Sequence, residues 1–325
     1  MNRYATNEWS KLKTVIVGTA TGARIPQIDV SVRTVNYADK SDDELKQIIT
    51  GLYPQSVIDE ANEDLETFAN FLKGEGVKVL RPKQTTPVEY YDYCPRDIVF
   101  VHGELALATP NPIRARFNNY ENIEHCFDTL IKPLGKPTDE HYNLSCVGDP
   151  DTLALKESKP LFDAANVIRA NDKLMYLVSN SGNKAGAQML GNLLPDVSIH
   201  LLENVYSYMH IDSTVAFLRE GLMLCNPTRV KSRDMLPEGF RDWDIIWCPE
   251  PTDIGYYGDY CNASEWINMN LFSVSDDLVV LEKHQENLAR ELNAKGIETA
   301  LLPTRHQRTL GGGFHCVTLD LEREC

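Results

Sequence analysis

Residues Gly311-Gly312-Gly313-Phe314-His315-Cys316 bring three glycines to the foot of a strand-like VTLDLE and end on a thiol. Glycine tolerates φ > 0 and the close approach of other groups, so the run marks a tight place around Cys316. A flexible turn ahead of a small buried residue would use the same letters, and the rest of the chain must decide. A cysteine nucleophile needs a base or a cation that favours its thiolate, and a histidine oriented by a carboxylate supplies that. His210 in YMHIDST and Asp163 in LFDAAN have the right types, and Asp97 in CPRDIV and Asp212 add two further acids. Three carboxylates around a thiol oppose its ionisation if the substrate is an anion or an ester. They suit a guanidinium, a planar cation whose five N–H donors match carboxylates in bidentate fashion and whose charge helps to keep sulfur ionised. The chemistry expected is attack by Cys316 on a guanidinium carbon faced by paired acids. His210 would protonate the departing amine and later take a proton from the incoming group.

Those side chains are far apart in sequence, so elements must gather them. Periodicity gives two short apolar strands joined by a polar turn, an amphipathic helix and a further strand, several times over. The strand pairs lie in 97–109, 166–178, 213–225 and 269–282. Helical runs are expected near 114–133, in 183–194 and in 283–295, with a short segment near 232–240. Third strands are expected at 197–202, 244–248 and 297–302. TVIVG (14–18), a helix over 57–73 and VKVLRP (77–82) make a fifth unit if the C-terminal CVTLDLE pairs with the first strand. Ser41-x-x-Glu44 and Ser56-x-x-Asp59 read as capping boxes, and Val57, Ile58, Ala61, Leu65, Phe68, Ala69 and Leu72 form one apolar face. Five similar ββαβ units without a Pro/Gly/Ser-rich linker argue for one toroidal domain over 1–325. Asp97, Asp163, His210, Ser264 and Cys316 stand at the starts of these units, at intervals of 66, 47, 54 and 52 residues. A ring would bring them to one axis. Singly, each has an ordinary reading: a strand histidine, a turn or capping acid, a solvated edge charge at Asp212. Those readings must all hold at once while the residues keep step with the repeat.

Composition sets limits. A chain of 325 residues with 42% hydrophobic content can bury a sizeable core. Lys+Arg 32 against Asp+Glu 47 leaves a net charge of −15, which argues against nucleic acid or an anionic membrane as partner. No apolar stretch approaches the ~18 residues of a membrane span, and the N-terminal residues lack a signal-peptide core, so a soluble cytoplasmic protein is expected. Eight scattered cysteines without a CxxC suggest reduced thiols. No metal site is expected, because His210/Asp212 and His315/Cys316 are isolated pairs.

NEWSKLKTVIVG (7–18), PRDIVFV (95–101), FDAANVIRA (162–170), MHIDST (209–214), NPTR (226–229), SEWINMN (264–270) and GGGFHC (311–316) resemble, in order, the signatures of the glycine amidinotransferase family. The last element is shared with arginine and agmatine deiminases, whereas the ordered set is much more specific. The resemblance implies an α/β five-bladed propeller of the pentein type and transfer of an amidino group from L-arginine to an amine, with ornithine leaving first. By motif match Cys316 resembles the nucleophile, His210 the acid/base and Asp163 its acidic partner. Asp97 and Asp212 match the guanidinium clamps, and Arg229 and Ser264 the grip on the substrate α-carboxylate, a role suited to a cationic fork and a hydroxyl. Met209, Ser207 and Gly313 fall at further substrate-binding positions. No cofactor is implied, and a homodimer is an expectation of the resemblance only.

This sequence departs from the glycine-using pattern NPMHID with Ser207-Tyr208-Met209-His210, which points to an acceptor other than glycine: lysine, another amino acid or a natural-product amine. In TDIGYYGDYCNASEW (252–266), Tyr256, Tyr257 and Tyr260 could line or cover the mouth as a lid, or belong to an ordinary surface loop. Two other functions remain open from the residues alone: a guanidine hydrolase with the same triad, in which water replaces the amine, and an arginine-binding protein without turnover.

Overall fold

A computed structural model describes residues 5–85, 87–149 and 151–324. The chain is mixed α/β, and one local pattern recurs. Val167–Ala170 pairs antiparallel with Lys173–Leu177, which pairs parallel with Ser198–Leu202 after the helix Lys184–Leu193. Val215–Arg219, Leu222–Cys225 and Asp244–Trp247 repeat that order, as do Phe272–Ser273, Leu278–Glu282 and Glu298–Leu302 around the helix Glu286–Ala294. Thr318–Arg323 runs antiparallel to Leu12–Val17, which is parallel to Lys78–Leu80 after the helix Gln55–Gly74. The C-terminal strand thus completes the N-terminal unit, as the pattern required. Val99–His102 and Leu105–Ala108 form the remaining pair, and Leu107 bridges in parallel to Ile131.

Between the last two sits the main departure from periodicity. The expected helix over 114–133 is three single 3-10 turns, Arg114–Arg116, Asn119–Asn122 and Glu124–Cys126. Pro110, Pro112 and Pro133 bracket the stretch, and its asparagines compete for backbone hydrogen bonds in non-helical conformations. The residues near 232–240 are also 3-10 turns. At the long helix the Ser41–Glu44 capping box forms on its own short helix, Asp42–Leu45, but the one at Ser56 does not. Pro54 caps that helix, which starts at Gln55, and Asp59 instead accepts a hydrogen bond from Gln55 Nε2 at 2.7 Å.

The apolar face of Gln55–Gly74 is buried as the spacing predicts, and it packs on the stretch that ends in Cys316. Phe68 meets Phe314 edge-on with ring centroids 4.7 Å apart, and Asp64 accepts from Arg305 N at 2.7 Å. Burial of a Phe side chain contributes roughly 1.5–3 kcal/mol, so this pair ties the C-terminal turn firmly to the core. Among the described residues no helix is long and apolar enough to cross a membrane, and none of the seven described cysteines is in a disulfide; Cys325 lies outside the described residues.

Candidate active site

Four of the repeat units begin with a 3-10 turn, and the polar residues singled out above sit on those turns. Asp97 ends Pro95–Asp97, whereas Asp163, His210 and Ser264 each stand immediately before Ala164–Asn166, Ile211–Ser213 and Glu265–Met269. Successive turns touch: the first meets the second, the second the third, the third the fourth. Asn270 closes the sequence, its Oδ1 accepting from both His315 N (3.0 Å) and Cys316 N (3.1 Å). Arg96 Nε donates to Thr318 O at 3.0 Å and so returns to the first turn. The side chains meet for this reason.

Each glycine ahead of Cys316 has its own cause. Gly311 ends the short helix Gln307–Leu310 at φ +79°, a left-handed conformation that an L side chain strains to adopt. A Cβ on Gly312 would stand 2.5 Å from Cys94 Sγ and 3.1 Å from Cys316 Cβ. One on Gly313 would stand 2.8 Å from Asn270 Cβ. The glycines therefore let Cys94 and Asn270 close upon the thiol.

Cys316, His210, Asp212, Arg229, Ser264 and Met209 line one cavity of about 450 Å³. Cys316 Sγ donates to Asp212 Oδ2 at 3.1 Å, and the same oxygen lies 3.0 Å from His315 Nδ1. His210 Nε2 is 2.7 Å from Asp163 Oδ2, and its Nδ1 is 3.7 Å from Asp97 Oδ1. Asp97 and Asp163 do not line the cavity; both are buried behind it, and Asp97 Oδ1 and Asp163 Oδ1 have no hydrogen-bond partner. Gly313 is likewise absent from the wall and serves the approach of Asn270, and Ser207 lines a neighbouring cavity. None of Tyr256, Tyr257 and Tyr260 lines the cavity. Tyr256 lies under Arg308, 5.0 Å from ring centroid to guanidinium, and Tyr260 packs on Tyr53. The loop is tied down by Asp253 to Arg308 at 2.6 Å and by Tyr257 N to Thr309 Oγ1 at 3.0 Å. The aromatic wall comes instead from Tyr37, Tyr90, Tyr91, Tyr206 and Tyr208.

The largest feature missed in the sequence is a resident guanidinium. Arg116 is buried, donates to Asp97 Oδ2 at 2.8 Å and Asp163 Oδ2 at 3.3 Å, and lies over the Tyr90 ring at 4.5 Å. Two buried carboxylates beside a histidine need a cation when the site is empty, and that requirement was the available signal. Asn270 and Glu8 lay inside recognisable motifs without an assigned part. Glu8 pairs with Arg169 at 2.7 Å and reaches His315 Nε2 at 3.5 Å.

Burial alone would lower His210, but Asp97, Asp163 and Asp212 outweigh it and raise the imidazole to about 9, so it is cationic near neutral pH. The Cys316 thiol is pushed well above its usual range by its hydrogen bond with Cys94, by burial and by Asp212. Burial raises the Asp212 carboxyl, but the hydrogen bond and charge of His315, with His210, hold it low. The empty site thus pairs a protonated acid with a neutral thiol, and a bound cation facing Asp212 would favour the thiolate. Arg229 is mostly buried, donates among the described residues only to Ser213 O, Ser213 Oγ and Thr214 Oγ1, and lies over Tyr206 at 3.5 Å. Among the described residues it makes no ion pair, and burial draws its pKa downward.

No family model matches the chain. Inosamine-phosphate amidinotransferase 1 of Streptomyces glaucescens is 40% identical over 337 residues, covering 98% of this chain and 95% of that protein. L-arginine:L-lysine amidinotransferase of Pseudomonas savastanoi pv. phaseolicola is 32% identical over 97% of this chain and 93% of its own length. The solved structure of an inosamine-phosphate amidinotransferase from Streptomyces griseus superposes with a TM-score of 0.92 at 38% identity, covering 99% of this chain and 97% of that one.

Proposed function

This chain belongs to the amidinotransferase family, and from that premise we propose that it moves the amidino group of L-arginine to an amine through a covalent intermediate on Cys316. The observation that carries the reading is the shared cavity: Cys316, His210 and Asp212 lie on one wall, with the unpaired Arg229 and the hydroxyl of Ser264 also lining it. Arg229 and Ser264 would hold the α-carboxylate of arginine, a bidentate task for the guanidinium. Asp212 would take the substrate guanidinium directly, whereas Asp97 stands behind the wall with its Oδ1 3.7 Å from His210 Nδ1 and acts on the site through its charge.

In the first half-reaction the substrate cation offsets the acids around Cys316, and the thiolate attacks the guanidinium carbon. The bond from that carbon to arginine Nε breaks as His210 gives its proton to that nitrogen, so ornithine leaves as an amine and the amidino group stays on sulfur. In the second, an acceptor amine attacks the amidino carbon, neutral His210 takes its proton, and the C–S bond breaks to release the Cys316 thiolate, which regains from solvent the proton that the thiol lost there before the first attack. Asp163 holds the imidazole through Nε2 and stabilises its charge; Arg116, which also lines the cavity, donates to both Asp97 and Asp163. No step needs a cofactor. The five repeat units, with their turns in cyclic contact, support a five-bladed pentein-type propeller within a single domain.

The test is incubation with L-arginine and a panel of amines, with intact-mass analysis of quenched enzyme. Ornithine together with an amidinated amine, and an amidino adduct lost in Cys316→Ala, is the expected result. Citrulline or ammonia without ornithine would instead make the protein a hydrolase, and binding without any product would remove both.

A further inference from the structure

A second cavity of about 220 Å³ adjoins the first, and the two share Asp39 and Tyr208. Tyr208 is the hinge of the arrangement in space. Its ring lies 5.8 Å from that of Tyr206, whose other neighbour is Arg229 at 3.5 Å, and its hydroxyl bonds to Asp39. A molecule whose amine reached Cys316 would therefore extend past Tyr208, on the side away from the arginine-carboxylate grip, into this space.

Its wall has a definite hydrogen-bonding character. Asn180 is 5% exposed, and its Oδ1 accepts from Ala154 N at 2.9 Å. The residue lines the cavity, and no described residue accepts from its Nδ2. Ser207, also on the wall, lends its backbone carbonyl to Asn180 N at 2.7 Å. Asp39 and Asp149 add carboxylate oxygens. Among the described residues no Lys, Arg or His lines this cavity. A phosphate or carboxylate would meet two like charges on this wall, with no cation lining it, and that repulsion disfavours an anion. An alkyl group would leave the amide donor of Asn180 without a partner. A hydroxyl both accepts from Asn180 Nδ2 and donates to a carboxylate.

Resting on the transfer reaction above, we infer that this cavity is the distal subsite for the acceptor, and that it selects a primary amine bearing a hydroxylated, non-anionic far end. Ser207-Tyr208, the dipeptide in which this chain departs from the glycine-using pattern, forms its entrance.

The test uses the full chain loaded with L-arginine and four matched acceptors: a primary amino alcohol, its phosphate monoester, the corresponding amino acid and the amine with hydrogen in place of the hydroxyl. The amino alcohol is expected to exceed each of the others in kcat/KM by about tenfold, the weight of one well-made buried hydrogen bond. In Asn180→Asp, which keeps the acceptor oxygen but removes the donor, the preference for alcohol over plain amine falls towards one; Ser207→Ala, a milder change, reduces it in the same direction. A phosphate ester or plain amine used as well as the alcohol, or a preference unmoved in both variants, overturns the subsite. Ornithine release and the Cys316 adduct, measured on the unaltered protein, report separately on the transfer reaction: their absence refutes that reaction, whereas their presence without alcohol preference refutes only the subsite.

Discussion

Glu8 Oε2 stands 3.5 Å from His315 Nε2, so the first motif of the chain supports the residue next to the thiol of the last. His315 in turn contacts Asp212, which accepts the Cys316 proton. Glu8 is part of a buried network in which Arg96, Arg169 and Arg323 surround Asp320, and Arg169 joins the two acids. Burial would raise the Glu8 carboxyl, but Arg169 leads a set of partners that hold it far below the ordinary range.

Breaking such a network leaves a buried guanidinium uncompensated, which costs about 3–5 kcal/mol, far more than the net worth of the pair when intact. Glu8→Gln is therefore expected to lower the unfolding free energy by that amount, read as a lower urea midpoint at unchanged slope. Equal midpoints for the variant and the parent protein would show that the network does not support the fold.

His210 sets the pH behaviour. Its pKa is raised in the folded protein from the ordinary 6.5 to about 9 because the carboxylates outweigh burial. A raised cation contributes stability that is fully present below pH 6.5 and is lost as pH rises through about 9. Activity follows the same group: kcat/KM for arginine should fall as pH passes about 9, where the acid that protonates ornithine disappears. A profile still rising at that pH would assign the proton to another group. Asp163→Asn removes a partner that raises the imidazole, so the falling limb should move to lower pH.

Strands, the pairing of the two ends and three of the four helical stretches of ordinary length were legible because period-2 and period-3.6 patterns respond directly to burial. The 114–133 stretch was not, since its proline brackets and asparagine-rich turns override periodicity, and Arg116 was hidden within it. The thiol, histidine and Asp212 were legible as chemistry, because an unmatched combination of types has few structural uses. Asn270 was not, for its function is to accept two backbone N–H groups, and no side-chain pattern announces a backbone partner 45 and 46 residues away.

The glycines make a sharper test of local packing. Gly313→Ala places a methyl against Asn270 Cβ at 2.8 Å and its backbone oxygen at 3.0 Å, and backbone cannot yield cheaply. A stability loss of about 1–3 kcal/mol is expected, with adduct formation from arginine slowed as Asn270 withdraws from Cys316 N. Gly312→Ala meets mainly the Cys94 sulfur, so Cys94→Ala should recover part of its stability while giving nothing back to Gly313→Ala. Equal rescue of both would place the strain elsewhere.

Arg229 gives the most specific forecast about substrate. It is a mostly buried cation whose hydrogen-bond acceptors among the described residues are a carbonyl and two hydroxyls, and burial draws its pKa downward, so it gains most from an anion on the cavity side. If that anion is the α-carboxylate of arginine, the parent enzyme must distinguish arginine from agmatine, which lacks it. Arg229→Lys keeps a positive charge but loses the planar fork, and Arg229→Ala loses both. Loss of one charge-assisted contact of about 1.5–3 kcal/mol predicts a ratio of kcat/KM for arginine over agmatine that falls by roughly tenfold to a hundredfold in the alanine variant. The lysine variant should fall between. The change must come chiefly from a higher KM for arginine with agmatine little affected, since the lost contact lies remote from the guanidinium carbon. If both substrates weaken equally, Arg229 serves the Tyr206 wall and not the carboxylate, and the orientation of arginine in the cavity must be reversed.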